Sequence, residues 1–294
     1  VTQVIRSFAD VSAQYDLAFV DLWGCVHDGY TIYRAAEAAL VAYRQAGGRV
    51  VLVTNAPRPA AGVQARLDQM GLTRAAYDAI ATSGDAAQDA MFRGAVGRRV
   101  WHLGPPDKDE GFFNDLPDWA KNEAPIIRVP FDEAEGIVCT GPIDEMTETP
   151  EDYRGRLLSA KARGLKLLCA NPDLVVDYGD TRIYCAGAIA QLYDQMGGES
   201  LYFGKPHPPI YDLARRRAIE AGIRFSDDRI IAIGDGIHTD VMGGQAEGVD
   251  TLFISGGLAA EEFGPDVENP DPALLAPWLD QMGQAPTFAI GRLR

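Results

Sequence analysis

Leu17-Ala18-Phe19-Val20-Asp21-Leu22-Trp23-Gly24 opens with a short apolar run that stops on a carboxylate. Downstream, Ala35 to Ala46 reads as a helix closed by Gly47-Gly48. Val50-Val51-Leu52-Val53 follows, a β-branched run ending at Thr54-Asn55. Pro57 and Pro59 precede a second helical stretch with Val63, Leu67 and Met70 on one face, stopped by Gly71. Strand, helix, strand, helix with short links predicts a parallel α/β sheet.

The C-terminal third repeats the style. Residues 208–221 read as a helix stopped by Gly222, residues 229–233 as a buried strand ending at Gly234-Asp235, and Asp250 to Ile254 as a further strand. A helix is expected to start near His238. Residues 104–125 are rich in Pro, Gly, Asp and Glu and read as an irregular surface segment. Around them lie weaker signals: strands at 99–103, 136–140 and Lys166 to Cys169, and a helix near 151–163. The expected fold is a doubly wound parallel sheet with an inserted α/β domain. The division is a core of residues 1–80 and 200–294 around an insertion of 81–199. A chain of 294 residues buries most of its apolar surface in either domain without staples.

Composition excludes several classes. Lys plus Arg is 27 against 42 Asp plus Glu, a net charge of −15. No Lys/Arg cluster offers the basic patch that a nucleic-acid binder needs, and anionic lipid is disfavoured for the same reason. No apolar stretch approaches membrane-spanning length. Cys25, Cys139, Cys169 and Cys185 form no C-x-x-C pair and read as buried free thiols, as expected in a reducing cytoplasm. The first thirty residues have no basic region followed by an apolar run, so no secretory signal is expected.

In an open parallel sheet, ligands bind beyond the carboxyl ends of the strands. Asp21 follows the first buried run, and Thr54 and Asn55 follow the second. Gly204-Lys205-Pro206 follows residues 201–203, and Gly234-Asp235-Gly236 follows 229–233, with Asp240 five residues beyond Asp235. Carboxylates bind Mg²⁺, a lysine neutralises a phosphoryl oxygen, and a hydroxyl with nearby N–H groups completes a cradle for a dianion. Each residue alone has a duller reading. An Asp or Thr after a strand is commonly a turn or cap residue, Lys205 could be solvated, and Asp240 could face water. The other candidates are weak. Gly204-Lys205 lacks the spacing of a Walker loop, and the four histidines show no zinc spacing. Arg215-Arg216-Arg217 reads as a solvated helix face, and Trp101 and Trp119 as packing residues.

The order and spacing resemble the haloacid dehalogenase-like (HAD) superfamily. Its four motifs match Asp21 in Asp21-Leu22-Trp23-Gly24, Thr54, Lys205, and Gly234-Asp235 with Asp240. Thr54-Asn55, Ala170-Asn171-Pro172-Asp173, and Gly204-Lys205-Pro206 with Pro209 and Tyr211 look like the NagD-like branch. That branch, which includes p-nitrophenyl and pyridoxal phosphate phosphatases, carries a large α/β cap between the second and third motifs. The resemblance implies a Mg²⁺-dependent phosphatase acting on a small phosphorylated metabolite. Asp21 would attack phosphorus, and water would hydrolyse the aspartyl-phosphate. Mg²⁺ would be held by the Asp21 carboxylate, the Trp23 carbonyl and Asp235, with Asp240 a ligand through water. Thr54, Lys205 and the Asn55 N–H would grip the phosphoryl oxygens. The cap is expected to move as a lid hinged near residues 80 and 200 and to carry a homodimer contact.

One position departs from that pattern. Phosphatases of the family carry a second Asp two residues after the nucleophile as general acid and base, and this chain has Trp23 there. An indole cannot protonate a leaving alkoxide. The expected consequences are slow hydrolysis, a substrate with a good leaving group, or another acid. His27 and Asp28 are the nearest alternatives, although Asp28-Gly29 also reads as a turn. Two rival functions follow. A haloacid-type dehalogenase uses the same nucleophile on carbon without metal, against which the metal-suited Asp235 and Asp240 stand. A phosphate-binding regulatory protein that has lost turnover would explain Trp23.

Overall fold

The computed structural model describes residues 2–294. A seven-stranded sheet runs in the order Gln3–Val4, Phe288–Ile290, Asp250–Ile254, Ile230–Gly234, Leu17–Val20, Arg49–Thr54, Ala79–Thr82, with every neighbouring pair parallel. The chain leaves the central strand Leu17–Val20 toward one edge and later fills the other. The order therefore reverses at Leu17–Val20, where an open sheet forms its ligand crevice.

The sheet is buried on both faces because its strands are apolar throughout. Ala18, Val20, Val50, Leu52, Ile231 and Ile233 pack on one face beneath Leu40 and Leu67. Those two belong to the helices Arg34–Gln45 and Ala60–Met70. Phe19, Val51 and Ile230 pack on the other face against Ile210 and Tyr211 of the helix Pro208–Glu220. The pleat sends successive side chains to opposite faces, so a continuous apolar run serves two helical layers.

The second sheet has five parallel strands in the order Glu199–Tyr202, Lys166–Cys169, Gly136–Cys139, Arg99–Leu103, Ile127–Arg128. A separate antiparallel hairpin, Val175–Tyr178 with Thr181–Tyr184, projects from it. Two expectations need correction. Residues 104–125 are not wholly a surface segment. A short helix, Glu110–Asn114, buries Phe112 and Phe113 in the second domain, and Asp109 is buried beside it. That aromatic pair anchors a window whose average composition is polar. Arg215 is also not simply solvated: it bridges Asp227 at 3.1 Å and Glu247 at 2.6 Å.

Near His238 the chain forms one π turn, Ile237–Val241, before the short helix Met242–Ala246. The wide turn keeps Asp240 buried rather than on a solvated helix face. All four cysteines are buried free thiols.

Candidate active site

Asp21, Asp235 and Asp240 meet at the carboxyl end of the central strands. Each offers a carboxylate oxygen, and these oxygens lie within 4.8 Å of one another. All three residues are buried. Asp21 and Asp235 continue the strands Leu17–Val20 and Ile230–Gly234, which are hydrogen-bonded neighbours, so pairing alone brings them together. Asp240 comes back from the π turn, and its Oδ2 accepts the Gly236 N–H at 3.1 Å. Glycines make the room. A Cβ on Gly234 would sit 2.1 Å from Asp240 Cγ. One on Gly24, where φ is +71°, would sit 2.0 Å from Asp235 Oδ2.

Lys205 Nζ donates to Asp21 Oδ1 and to Asp240 Oδ1, both at 2.7 Å. Its origin corrects the expectation of a lysine on the core sheet's edge. Glu199–Tyr202, the strand before it, hydrogen-bonds into the second sheet. Lys205 thus sits on the segment where the chain returns to the core. What holds it is Asn55. The Asn55 side chain accepts the Lys205 N–H at 2.7 Å and donates to the Lys205 carbonyl at 3.0 Å. The sequence suggested only a backbone role for Asn55. Thr54 is buried beside it, and its Oγ1 accepts the Ala56 N–H at 3.2 Å, leaving its hydroxyl proton to donate elsewhere.

The electrostatics are those of a cation site. Three buried carboxylates face one ammonium, a local charge of about −2 if all are ionised, and burying charge without compensation costs several kcal/mol per ion. Burial, with the charge of Asp240, pushes Asp21 up to about 7 even though Lys205 pulls it down. Burial and the charges of Asp21 and Asp240 push Asp235 up as well. Burial alone would lower Lys205, but Asp21, Asp240 and Asp173 outweigh it and hold the ammonium well above its usual range. A hard oxygen donor set with this charge fits a divalent ion such as Mg²⁺.

The second domain closes over this cluster. Its hairpin sets Tyr178 against Trp23 at 5.6 Å and against Tyr30 at 4.4 Å between ring centroids. The Gly179 N–H donates to the Asp28 carbonyl at 3.0 Å. Asp173, just before the hairpin, accepts from Asn55 Nδ2 at 2.8 Å. Burial pushes its carboxyl up to about 6, against the pull of Lys205 and of the Asn55 hydrogen bond. Asp173 belongs to the Ala170-Asn171-Pro172-Asp173 motif, whose sequence alone predicts no contact with the site.

The two alternative acids near Trp23 are each engaged by the backbone of their own loop. Asp28 accepts the Tyr30 and Thr31 N–H groups at 2.9 and 2.7 Å; burial raises its carboxyl, but these hydrogen bonds outweigh it and hold it below the usual range, as in a turn residue. His27 accepts the Gly29 N–H on Nδ1 at 3.0 Å, and burial lowers it to about 4, so its ring is neutral near pH 7. Trp101 and Trp119 pack away from the cluster, against Phe131 and Arg93 respectively.

A family profile described as haloacid dehalogenase-like hydrolase matches residues 18–113, and a second, described as HAD-hydrolase-like, matches residues 202–281. A solved hydrolase of the haloacid dehalogenase-like family from Brucella suis is 38% identical, with 99% of this chain and 100% of that one covered, at a TM-score of 0.84. The D-glycerol 3-phosphate phosphatase of Mycobacterium tuberculosis is 26% identical over 84% of this chain and 65% of its own length. A crystal structure of a glycerol phosphate phosphatase from the same organism, in complex with magnesium, is 23% identical. It covers 86% of this chain and 71% of its own at a TM-score of 0.60. The matched segments cover 34%, 65% and 38% of the lengths of the curated relatives. With the Brucella suis likeness spanning both chains end to end, this chain belongs to the haloacid dehalogenase-like hydrolase family.

Proposed function

We propose that this chain is a Mg²⁺-dependent phosphatase of the NagD-like branch, acting on a small phosphorylated metabolite through an aspartyl-phosphate on Asp21. The observation that carries this reading is the buried cluster of Asp21, Asp235 and Asp240, two of which share the Lys205 ammonium, at the switch point of the sheet. We take residues 1–82 with 203–294 as the hydrolase core and 83–202 as its cap, which moves the boundaries expected at 80 and 200 to the ends of the strands Ala79–Thr82 and Glu199–Tyr202. Asp21, the Trp23 carbonyl and Asp235 would hold the ion, with Asp240 contributing through water. When bound, it supplies charge neutralisation at the phosphoryl oxygens.

The chain's own groups do the rest. Asp21 is the nucleophile, and its carboxylate is freed to attack when Lys205 Nζ turns from it toward a phosphoryl oxygen. Thr54 and the Asn55 N–H fix the remaining oxygens, so most of the catalysis is positioning and charge complementarity. Asp240 keeps Lys205 in place, and Asn55 holds the lysine's backbone. A cavity of about 390 Å³ beside Thr54 suits a small leaving group. The names of the curated relatives support a short sugar or polyol phosphate.

A dehalogenase needs no divalent ion, so a net negative carboxylate cluster disfavours it. The test is steady-state phosphate release from p-nitrophenyl phosphate and glycerol 3-phosphate, with Mg²⁺ or excess EDTA. The expected result is turnover only with Mg²⁺, abolished by Asp21→Asn. Undiminished release by that variant would exclude the covalent route, and full activity in EDTA would favour the dehalogenase.

A further inference from the structure

Two cavities meet at the site. One, of about 390 Å³, is bordered by Thr54, Arg58 and Asp109. The other, of about 470 Å³, contains Asp21, Lys205, Asp235 and Asp240. Three residues border both: Trp23, Asp173 and Val176. These three form the neck between the carboxylate and lysine cluster and the pocket beside Thr54.

Phosphoryl transfer is in line, so an ester attacked by Asp21 expels its leaving oxygen on the far side of phosphorus. Asp21 projects from the core sheet, so that oxygen faces the second domain and the neck. Of the three neck residues, only Asp173 carries an ionisable group. The Asn55 amide fixes one of its oxygens, and among the described residues no hydrogen bond reaches the other.

Resting on the aspartyl-phosphate reading above, we propose that Asp173, contributed by the second domain, is the general acid and base that Trp23 cannot be. In the first step an Asp21 oxygen bonds to phosphorus and the ester P–O bond breaks. The Asp173 carboxylic proton passes to the departing oxygen, so an alcohol leaves and Asp173 becomes a carboxylate. In the second step a water oxygen bonds to phosphorus and the Asp21–phosphorus bond breaks. The water's proton returns to Asp173. Burial already pushes this carboxyl up to about 6, and a neighbouring phosphoryl dianion favours its protonated form further. Because the acid sits on the cap, protonation of the leaving group becomes possible only when the cap is closed.

Asp173→Asn keeps the shape and the acceptor for Asn55, and removes only the transferable proton. The measurement is kcat/KM over a series of aryl phosphates of graded leaving-group pKa, together with glycerol 3-phosphate. General acid catalysis contributes about 10²–10⁴-fold. The alkyl ester should therefore lose at least about 100-fold, p-nitrophenyl phosphate less than about 10-fold, and the dependence on leaving-group pKa should steepen. Asp173→Glu should keep the shallow wild-type dependence, which guards against a folding defect in the Asn variant. Equal losses on aryl and alkyl esters would overturn the proposal and leave Asp173 only a structural partner of Asn55. A wild-type enzyme inert on every ester would instead overturn the phosphatase reading, and this proposal with it.

Discussion

Asn55 and Asp173 stand 118 positions apart in the chain, yet Asn55 Nδ2 lies 2.8 Å from Asp173 Oδ1. The same amide brackets the backbone of Lys205. One core side chain therefore ties together the cap, the lysine and the loop after the strand Arg49–Thr54. Asn55→Ala removes three hydrogen bonds at once, two of them to buried groups. We expect a stability loss of about 2–3 kcal/mol in urea titration and a rise in KM together with a fall in kcat. A more extended particle in small-angle scattering should accompany it. Unchanged kinetics would mean that the clasp is not what positions Lys205.

The carboxylate cluster predicts opposite pH behaviour with and without a divalent ion. Asp21 is raised to about 7 in the folded protein, whereas unfolded aspartate titrates near 3.9. Between those values the unfolded chain gives up its proton and the native site retains it. The Asp21 contribution to metal-free stability should therefore fall as pH rises from about 4 to about 7, then level off. Mg²⁺ binds the ionised form, so its stabilisation should be largest above pH 7 and small at pH 5. Chemical denaturation of the His27→Gln variant, which lacks the opposing histidine contribution, in EDTA and in saturating Mg²⁺ across that range checks both signs. A Mg²⁺ effect independent of pH would contradict them.

His27 predicts an acid limb. Burial lowers it to about 4 in the folded state, so from pH 6.5 downward the unfolded chain binds a proton that the native state refuses. The His27 contribution to stability should fall as pH drops from 6.5 to about 4, by up to about 3 kcal/mol, opposing the Asp21 contribution, and flatten below. His27→Gln should remove this part of the acid-side loss in a urea series. An unchanged slope would place the titration elsewhere.

Trp23 predicts a rescue with a stability cost. Its half-buried ring packs on His27 at 5.0 Å and on Tyr178 at 5.6 Å. Trp23→Asp should cost about 1–3 kcal/mol through lost packing and loosen the hairpin over the site. In an Asp173→Asn background the same change should raise glycerol 3-phosphate turnover at least about 10-fold, because a carboxylate returns near the leaving oxygen. Absence of rescue in a folded double variant would show that the Trp23 position does not face the leaving group.

The sequence alone determined four of the core sheet's seven strands and the three strand ends that carry the site. Continuous apolar runs such as Leu17–Val20 and Ile230–Gly234 bury both faces locally, and the polar residue that ends each run must stand at the sheet's edge. Asp21, Thr54 and Asp235 were therefore legible from short windows. Tertiary structure decided the rest. Lys205 reaches Asp21 on the return from the second sheet, not from a core strand. The half-buried strand Val175–Tyr178 and its exposed partner Thr181–Tyr184 leave little trace in an apolar pattern, although their hairpin covers the site. The position of Asp173 at the neck depends on how the cap seats against Asn55. Local propensity and burial periodicity act over a few residues, whereas these contacts depend on where two separately folded sheets come to rest.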